Sequence, residues 1–284
     1  MNYRHAFHAG NFADVFKHAI LIRALLALTR KPTPLRYIDT HAGAGRYDLA
    51  GESSERSPEW RDGVARILRA KLRAPVAELL APYLDAVGPF DAEARPLSYP
   101  GSPAIAQKLL RPQDRLALCE AHDEERAKLV AALGHDARLS IVGTDGYVAL
   151  NAYVPPKERR GLTLLDPPFE REDERERVLA ALERALKKWP RGVYLAWRPI
   201  KDRREDARFL ASLKAFRAPN ILSLELDVGR APPPASALRR AGLILVNPPF
   251  GVPEEAEAIL ADLTPLLARG DGADAVCEWL TART

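Results

Sequence analysis

Short apolar runs, each bounded by glycine, proline or a charged residue, alternate along this chain with longer stretches whose apolar positions recur every three or four residues. The runs predict strands at Leu35–Thr40, Arg115–Glu120 and Leu139–Val142, and another that ends at Asp166. Later strands are predicted at Val193–Arg198, Ile221–Val228, Ala241–Asn247 and Ala275–Leu280. Between them, Asn11 is placed to cap a helix through Arg30, with Ala13, Phe16, Ile20, Leu21, Ala24 and Leu28 on its apolar face. Further helices are predicted at Pro103–Leu110, Glu124–Leu133, after Gly146, and at Asp173–Trp189, Glu205–Phe216 and Glu254–Leu267. Strands alternating with helices predict an α/β fold with a doubly wound, mostly parallel sheet.

The pattern changes between about Asp48 and Tyr99, where helical periodicity (Trp60–Leu72, Val76–Val87) and many charges come without a convincing strand. A helical insertion is therefore expected at 48–99. Residues 1–47 would hold an N-terminal motif and the first part of the main domain, and residues 100–284 its remainder. No internal repeat or low-complexity tract interrupts this scheme, and Ala231–Pro234 reads as a loop.

Composition narrows the class. Apolar residues make up 47% of the 284, enough to bury a full core, so disorder is not expected. The balance of 42 basic against 38 acidic side chains, +4 overall, is compatible with a polyanionic partner without demanding one. Cys119 and Cys277 stand far apart and in no metal spacing, which suits reduced thiols in a cytoplasmic protein. The polar N-terminus has no signal-peptide core, and the most apolar segment, Ala19–Leu28, is short and broken by Arg23, so no membrane span is expected.

Candidate chemistry gathers at predicted strand ends. Asp39-Thr-His41-Ala-Gly43-Ala-Gly45 follows the first strand and offers close backbone approach to a ligand. The dinucleotide fingerprint needs a third glycine where Asp48 stands, and no phosphate-loop motif occurs. Asp39 at the loop mouth would repel a pyrophosphate and welcome a cation. A ligand carrying an ammonium and a sulfonium fits better, and S-adenosylmethionine carries both.

Gly161-Leu-Thr-Leu-Leu165 runs into Asp166-Pro167-Pro168-Phe169. Neither proline can donate to a ladder, so the chain must leave the sheet at Asp166, at the strand end where open α/β sheets place ligands. A carboxylate, freed carbonyls and a ring there suit an exocyclic amine beside an aromatic face. A plain Pro-rich turn with a buried Phe is the alternative. A second copy, Asn247-Pro248-Pro249-Phe250, follows a late strand farther from the glycine loop, and a structural role is expected for it.

Four of the six histidines, His5, His8, His18 and His41, fall in the first 41 residues. His5-x-x-His8 with His18 offers three imidazoles, but no carboxylate partner is spaced for a metal and no HExxH occurs, so no metal is expected. The block Tyr3-Arg-His-x-Phe-His-Ala-Gly-Asn11, with Ala13-Asp-Val15, Lys17-His18, the loop Tyr37–Tyr47, Tyr99-Pro-Gly-Ser-Pro103, Asp145-Gly146, Arg160-Gly161, Asp166–Phe169 and Asn247-Pro-Pro249, runs nearly end to end. In these residues the chain resembles the bacterial 23S ribosomal RNA adenine-N6 methyltransferases of the RlmJ type. Phe169 stands where such enzymes often have Tyr, which keeps a stacking face and loses a hydroxyl.

The resemblance implies a Rossmann-like class I methyltransferase with a small helical insertion, S-adenosylmethionine as cofactor, 23S ribosomal RNA as partner, and action as a monomer. It implies cofactor contacts from His18, His41, Gly43, Ser102, Glu120, Asp145, Gly146 and Asp166, with Glu120 on the ribose and Asp145-Gly146 on the adenine. Substrate contacts are expected from Tyr3, Arg4, His5, Lys17, Pro167 and Phe169, with Arg4 and Lys17 reaching phosphate. Arg159, Arg160, Arg198, Lys201, Arg203 and Arg204 are further phosphate candidates, each otherwise a solvated charge. The mixed-sign run Glu170–Arg177 reads as an exposed helix face. Asp166 is the expected catalytic residue: with the Pro167 carbonyl it would accept both hydrogens of an unstacked adenine amine and turn the nitrogen lone pair toward the methyl. Other amine acceptors (adenine in DNA, guanine N2 in RNA, protein glutamine) and a non-catalytic RNA-binding module remain alternatives.

Overall fold

Asn11 closes the N-terminal turn, and its side-chain oxygen accepts from the Asp14 amide at 3.0 Å, starting helix α1 (Phe12–Thr29). The computed structural model describes residues 5–51, 56–216, 218–230 and 238–283. The predicted loop at Ala231–Pro234 lies outside these, as do Tyr3 and Arg4. After α1 the order is β1 (Arg36–Asp39), β2 (Arg46–Tyr47), α2 (Val64–Arg69), α3 (Val76–Val87), β3 (Tyr99–Pro100), α4 (Ser102–Leu109), β4 (Arg115–Cys119), α5 (Asp123–Leu133) and β5 (Leu139–Val142). Then come α6 (Gly146–Tyr153), β6 (Gly161–Leu165), α7 (Glu174–Lys188), β7 (Val193–Pro199), α8 (Arg203–Lys214), β8 (Ile221–Val228), β9 (Arg240–Val246), α9 (Val252–Leu267) and β10 (Ala273–Trp279).

Eight strands form one sheet in the order β10-β8-β9-β7-β6-β1-β4-β5. The five from β5 to β7 are mutually parallel, and β9 and β10 run against them. The doubly wound, mostly parallel expectation therefore describes the fold. Strand β6 shows why both faces are covered: Leu162 and Leu164 join a core with α1, α4, α5 and α9, while Leu165 joins a second core with α6, α7 and α8.

Helix α1 departs from the one-faced helix expected. Insertion helix α3 packs on its outer side while α4 and α9 flank it, so Asp14, Lys17 and His18 are buried along with its aliphatic residues. A helix enclosed on all sides needs no polar face.

Two features of the 48–99 segment differ from expectation. The stretch Trp60–Leu72 breaks into a 3₁₀ turn at Glu59–Asp62 and the short α2, because the Val64 amide donates to the Gly10 carbonyl at 2.8 Å. A side chain at Gly63 between them would meet that carbonyl at 2.1 Å. The segment also closes on a small antiparallel pair, β2 with β3, and the Gly101 amide donates to Gly45 O at 2.8 Å. Two residues per strand are too short to show a period of two in the sequence.

Among the described residues no helix is long and apolar enough to cross a membrane. The register that matters for the site, Arg36 opposite Arg115 and Gly161, is held at its base by fully buried Asp114. This carboxylate accepts from the Leu35 amide at 3.0 Å and from the Arg111 amide and guanidinium at 2.9 Å each. Asp114→Ala leaves a buried amide without its partner and is expected to cost about 3 kcal/mol. A urea midpoint shift at constant slope measures it. A loss below about 1 kcal/mol would mean that the register is held elsewhere.

Candidate active site

The parallel strands β1, β4, β5 and β6 deliver their last residues to one edge of the sheet, where a cavity of about 1100 Å³ opens. His41, Ala42 and Gly43 after β1 line it, as do Glu120 after β4, Asp145-Gly146 after β5 and Asp166–Phe169 after β6. Helix α1 contributes Asp14, Lys17 and His18, the N-terminal turn contributes His5, and Gly101-Ser102 enter from α4. The structure thus brings together every candidate site residue within the described region: His5, Lys17, His18, His41, Gly43, Ser102, Glu120, Asp145, Gly146, Asp166, Pro167 and Phe169.

Asp14 is the hub on the α1 side, and sequence reasoning did not single it out. Its Oδ2 accepts from the Gly10 amide at 3.0 Å and from His5 Nε2 at 2.9 Å, and its Oδ1 lies 3.0 Å from Lys17 Nζ. The same ammonium donates to Asp166 Oδ2 at 2.5 Å. Burial would raise the Asp14 carboxyl, but the His5 imidazole and the Lys17 ammonium hold it well below the usual carboxylate range. Burial would lower the Lys17 ammonium, but Asp14 and Asp166 together drive it upward. Lys17, expected to reach RNA phosphate, is instead 4% exposed and committed to two carboxylates. The spacing Asn11, Asp14, Lys17 was the available signal, since it puts an acid and a base on one helix face directly after a cap.

Asp39 also departs from expectation. It is fully buried and takes Tyr37 OH and Ser102 Oγ on Oδ2 at 2.7 Å each and the His41 amide on Oδ1 at 3.3 Å. Its carboxyl, pushed up to about 6 by burial, orders the glycine loop from beneath rather than meeting a cationic ligand. Glu120 accepts the Gly43 amide at 2.8 Å and the His122 amide at 2.8 Å. A carboxylate thus occupies the loop amide that a phosphate would need, while the loop backbone, with Gly43 at φ +61, stays closely approachable. A carboxylate acceptor beside a closely approachable loop fits the ribose hydroxyls and the cationic end of S-adenosylmethionine and opposes a pyrophosphate.

Gly146 lies so close to the loop that a Cβ there would meet Thr40 O at 2.0 Å. Thr40 Oγ1 lies 3.0 Å from Leu164 O and 2.8 Å from His41 Nδ1, which ties the histidine ring to the end of β1. Burial holds His41 down to about 4. It holds His18, whose Nδ1 is 3.0 Å from Tyr99 OH, down to about 3.

On the other wall the Phe169 ring stands at an edge angle to Trp197, 5.5 Å between centroids, and Lys201 completes this side. Phe169 occupies left-handed backbone, φ 50, so the chain turns sharply after the two prolines. Trp197 was not anticipated, because its strand carried no motif. Of the other phosphate candidates, Arg198 is buried against Asp206 Oδ1 at 2.8 Å, Arg203 pairs with Glu225, and Arg160 donates to Leu28 O and Thr33 O. Within the run Glu170–Arg177, Glu170, Arg171, Glu172, Asp173 and Glu176 are exposed as expected, but Glu174 is 2% exposed, and both it and Arg177 line the cavity.

The second motif copy is placed by strand direction. Val246, the last residue of β9, pairs with Tyr194 near the start of β7, whereas Leu165 pairs with Ala196 toward its end. Asn247 therefore lies at the opposite edge from Asp166, where its Nδ2 donates to Pro190 O and Gly192 O at 2.8 Å each. Among the described residues, no group of three or more His, Cys, Asp or Glu side chains is placed to hold a metal ion.

The family described as "Ribosomal RNA large subunit methyltransferase D, RlmJ" matches residues 32–281. A relative from Escherichia coli (strain K12), "Ribosomal RNA large subunit methyltransferase J", is 35% identical over 285 residues, covering 99% of each chain. The protein of the same name from Haemophilus influenzae is 35% identical over 283 residues, again covering 99% of each. The crystal structure of a Legionella pneumophila protein, 33% identical, superposes with a TM-score of 0.86 over 96% of this chain and 98% of that one.

Buried His18, half-buried His41 and buried Asp39 set a pH dependence. From about pH 4 to 6, His18 and His41 are neutral in the folded chain but charge on unfolding, while Asp39 is protonated only in the folded chain. Of these three, two favour proton uptake by the unfolded state and one opposes it, so together they lower stability as pH falls. His41→Gln removes one unit of uptake and is expected to make the dependence of unfolding free energy on pH shallower by about 1.4 kcal/mol per pH unit. Urea titrations across this window read the difference, and parallel curves for the two proteins would contradict it.

Proposed function

The chain belongs to the RlmJ family of S-adenosylmethionine-dependent ribosomal RNA methyltransferases, and we propose that its acceptor is N6 of one adenine in 23S ribosomal RNA, held by Asp166. The observation that carries this reading is the Asp166 carboxylate, fixed at the sheet edge by a buried ammonium and followed by two prolines and a ring. Lys17 takes Oδ2, which leaves Oδ1 to accept one N6 hydrogen while the Pro167 carbonyl accepts the other. These acceptors pull the amine lone pair out of conjugation with the purine and direct it along one line.

When bound, S-adenosylmethionine supplies a methyl group on an electron-poor sulfonium. Residues His18, His41, Gly43, Ser102, Glu120, Asp145, Gly146 and Asp166 would hold it, with Glu120 toward the ribose and Asp145-Gly146 toward the adenine. The adenine must unstack, at a cost of a few kcal/mol that the Phe169 ring partly recovers by stacking. Hydrogen bonds to a charged group contribute roughly 1.5–3 kcal/mol each. Alignment contributes about 7–11 kcal/mol and dominates. This reading includes action as a monomer, with the 48–99 segment as an inserted subdomain of residues 1–47 and 100–284. Tyr3, Arg4 and His5 are assigned to the RNA in this reading.

Asp166→Asn keeps the shape and replaces an acceptor oxygen with a donor. It is expected to weaken cofactor binding about tenfold, since Asp166 also contacts the cofactor, and to slow methylation of transcribed 23S RNA at saturating cofactor by roughly 10²–10³-fold, comparable to losing one preorganised group. Asn247→Ala should keep turnover near that of the unaltered protein. The reverse pattern would put the amine site at the other motif. Mass spectrometry of ribosomal RNA from cells with and without the gene tests the acceptor: one N6-methyladenine should vanish, and unchanged RNA would overturn the assignment.

A further inference from the structure

Helix α7 begins five residues after the DPPF motif and carries two charged side chains into the cavity wall. Glu174 Oε1 accepts from Tyr147 OH at 2.7 Å and lies 3.4 Å from Arg177 Nη1. The other terminal nitrogen of Arg177 donates to Asp145 Oδ2 at 2.6 Å, and the guanidinium carbon sits 4.6 Å from the centroid of the Tyr147 ring. Asp145 Oδ1 is already engaged, since it accepts from the Tyr147 and Val148 amides at 2.9 and 3.1 Å and so caps α6. Tyr147 in turn meets the His41 ring edge-on at 5.2 Å.

A cap bond fixes one carboxylate oxygen and leaves rotation about that bond, so the second oxygen needs its own partner. Arg177 supplies it and is itself fixed by the Tyr147 face and the Glu174 carboxylate. A carboxylate oxygen has two acceptor positions. One on Oδ2 is filled by Arg177, and the other remains for an N–H donor from the cavity.

We infer that Arg177 is a positioning residue for the cofactor's adenine, orienting Asp145 so that Oδ2 receives the exocyclic amine. This rests on the reading that places Asp145 beside that adenine. It makes the helix that follows the substrate-amine motif a determinant of cofactor affinity, so that one end of α7 serves each ligand. The guanidinium is needed for its shape: a lysine ammonium could reach the carboxylate but could not also lie flat on the tyrosine.

The test is calorimetric binding of S-adenosylmethionine and of 5′-methylthioadenosine, which keeps the adenosine and lacks the amino-acid end. Arg177→Gln is expected to weaken both to the same degree, about tenfold. Arg177→Lys should recover part of the loss, and kcat at saturating cofactor should stay within about twofold. Asp145→Asn, which can still cap α6, should weaken both probes, and the double variant should be no weaker than Asp145→Asn alone. A purely structural Arg177 would lower the melting temperature and leave both affinities unchanged, which would overturn the inference while the Asp145 reading stood. If Asp145→Asn also left both affinities unchanged, that reading would fall and the inference with it.

Discussion

The Lys17 ammonium, enclosed between Asp14 and Asp166, is the contact on which the site depends. Taking one cation and two carboxylates out of water costs several kcal/mol per ion, and only close geometry with further hydrogen bonds offsets it. Those bonds are present: Asp14 also accepts from Gly10 and His5, and Asp166 stands at the cavity wall with its second oxygen open to a ligand. The arrangement joins two segments 149 residues apart in the chain, the first turns of α1 and the exit of β6. Its cost is consistent with a functional role, since an apolar trio would pack there without penalty.

That contact sits on an enclosed α1, and helices α3, α4 and α9 enclose it. α3 packs against α1 and α9, and the β2–β3 pair brings the chain back beside the glycine loop. Tyr99, from this closing pair, reaches His18. The 48–99 segment thus adds to the burial around α1, and burial keeps His18 neutral.

The two X-Pro-Pro-Phe copies show how little a motif says without strand direction. Both follow apolar strands and both place a left-handed residue nearby, at Phe169 and at Asn247. β6 runs parallel to the glycine-loop strand and delivers its motif to the cavity. β9 runs antiparallel to β7 and delivers its own to the far edge, where Asn247 ties down two carbonyls before β7.

Periodicity and punctuation in the sequence determined the elements, their alternation, and the strand ends at Asp39, Glu120, Asp145 and Asp166, because side-chain spacing and the missing proline amides act locally. The order of the sheet could be argued from the same pattern, since short βαβ connections leave few topologies. What only the tertiary structure decided is which charges meet. Lys17 and Arg198 read as phosphate candidates, and Glu174 and Arg177 as an exposed face, yet each is paired within the protein. Asp39 looked like a ligand contact and proved a buried anchor. A side chain's partner is set by elements that converge from distant parts of the chain, and helical spacing is blind to what covers the helix.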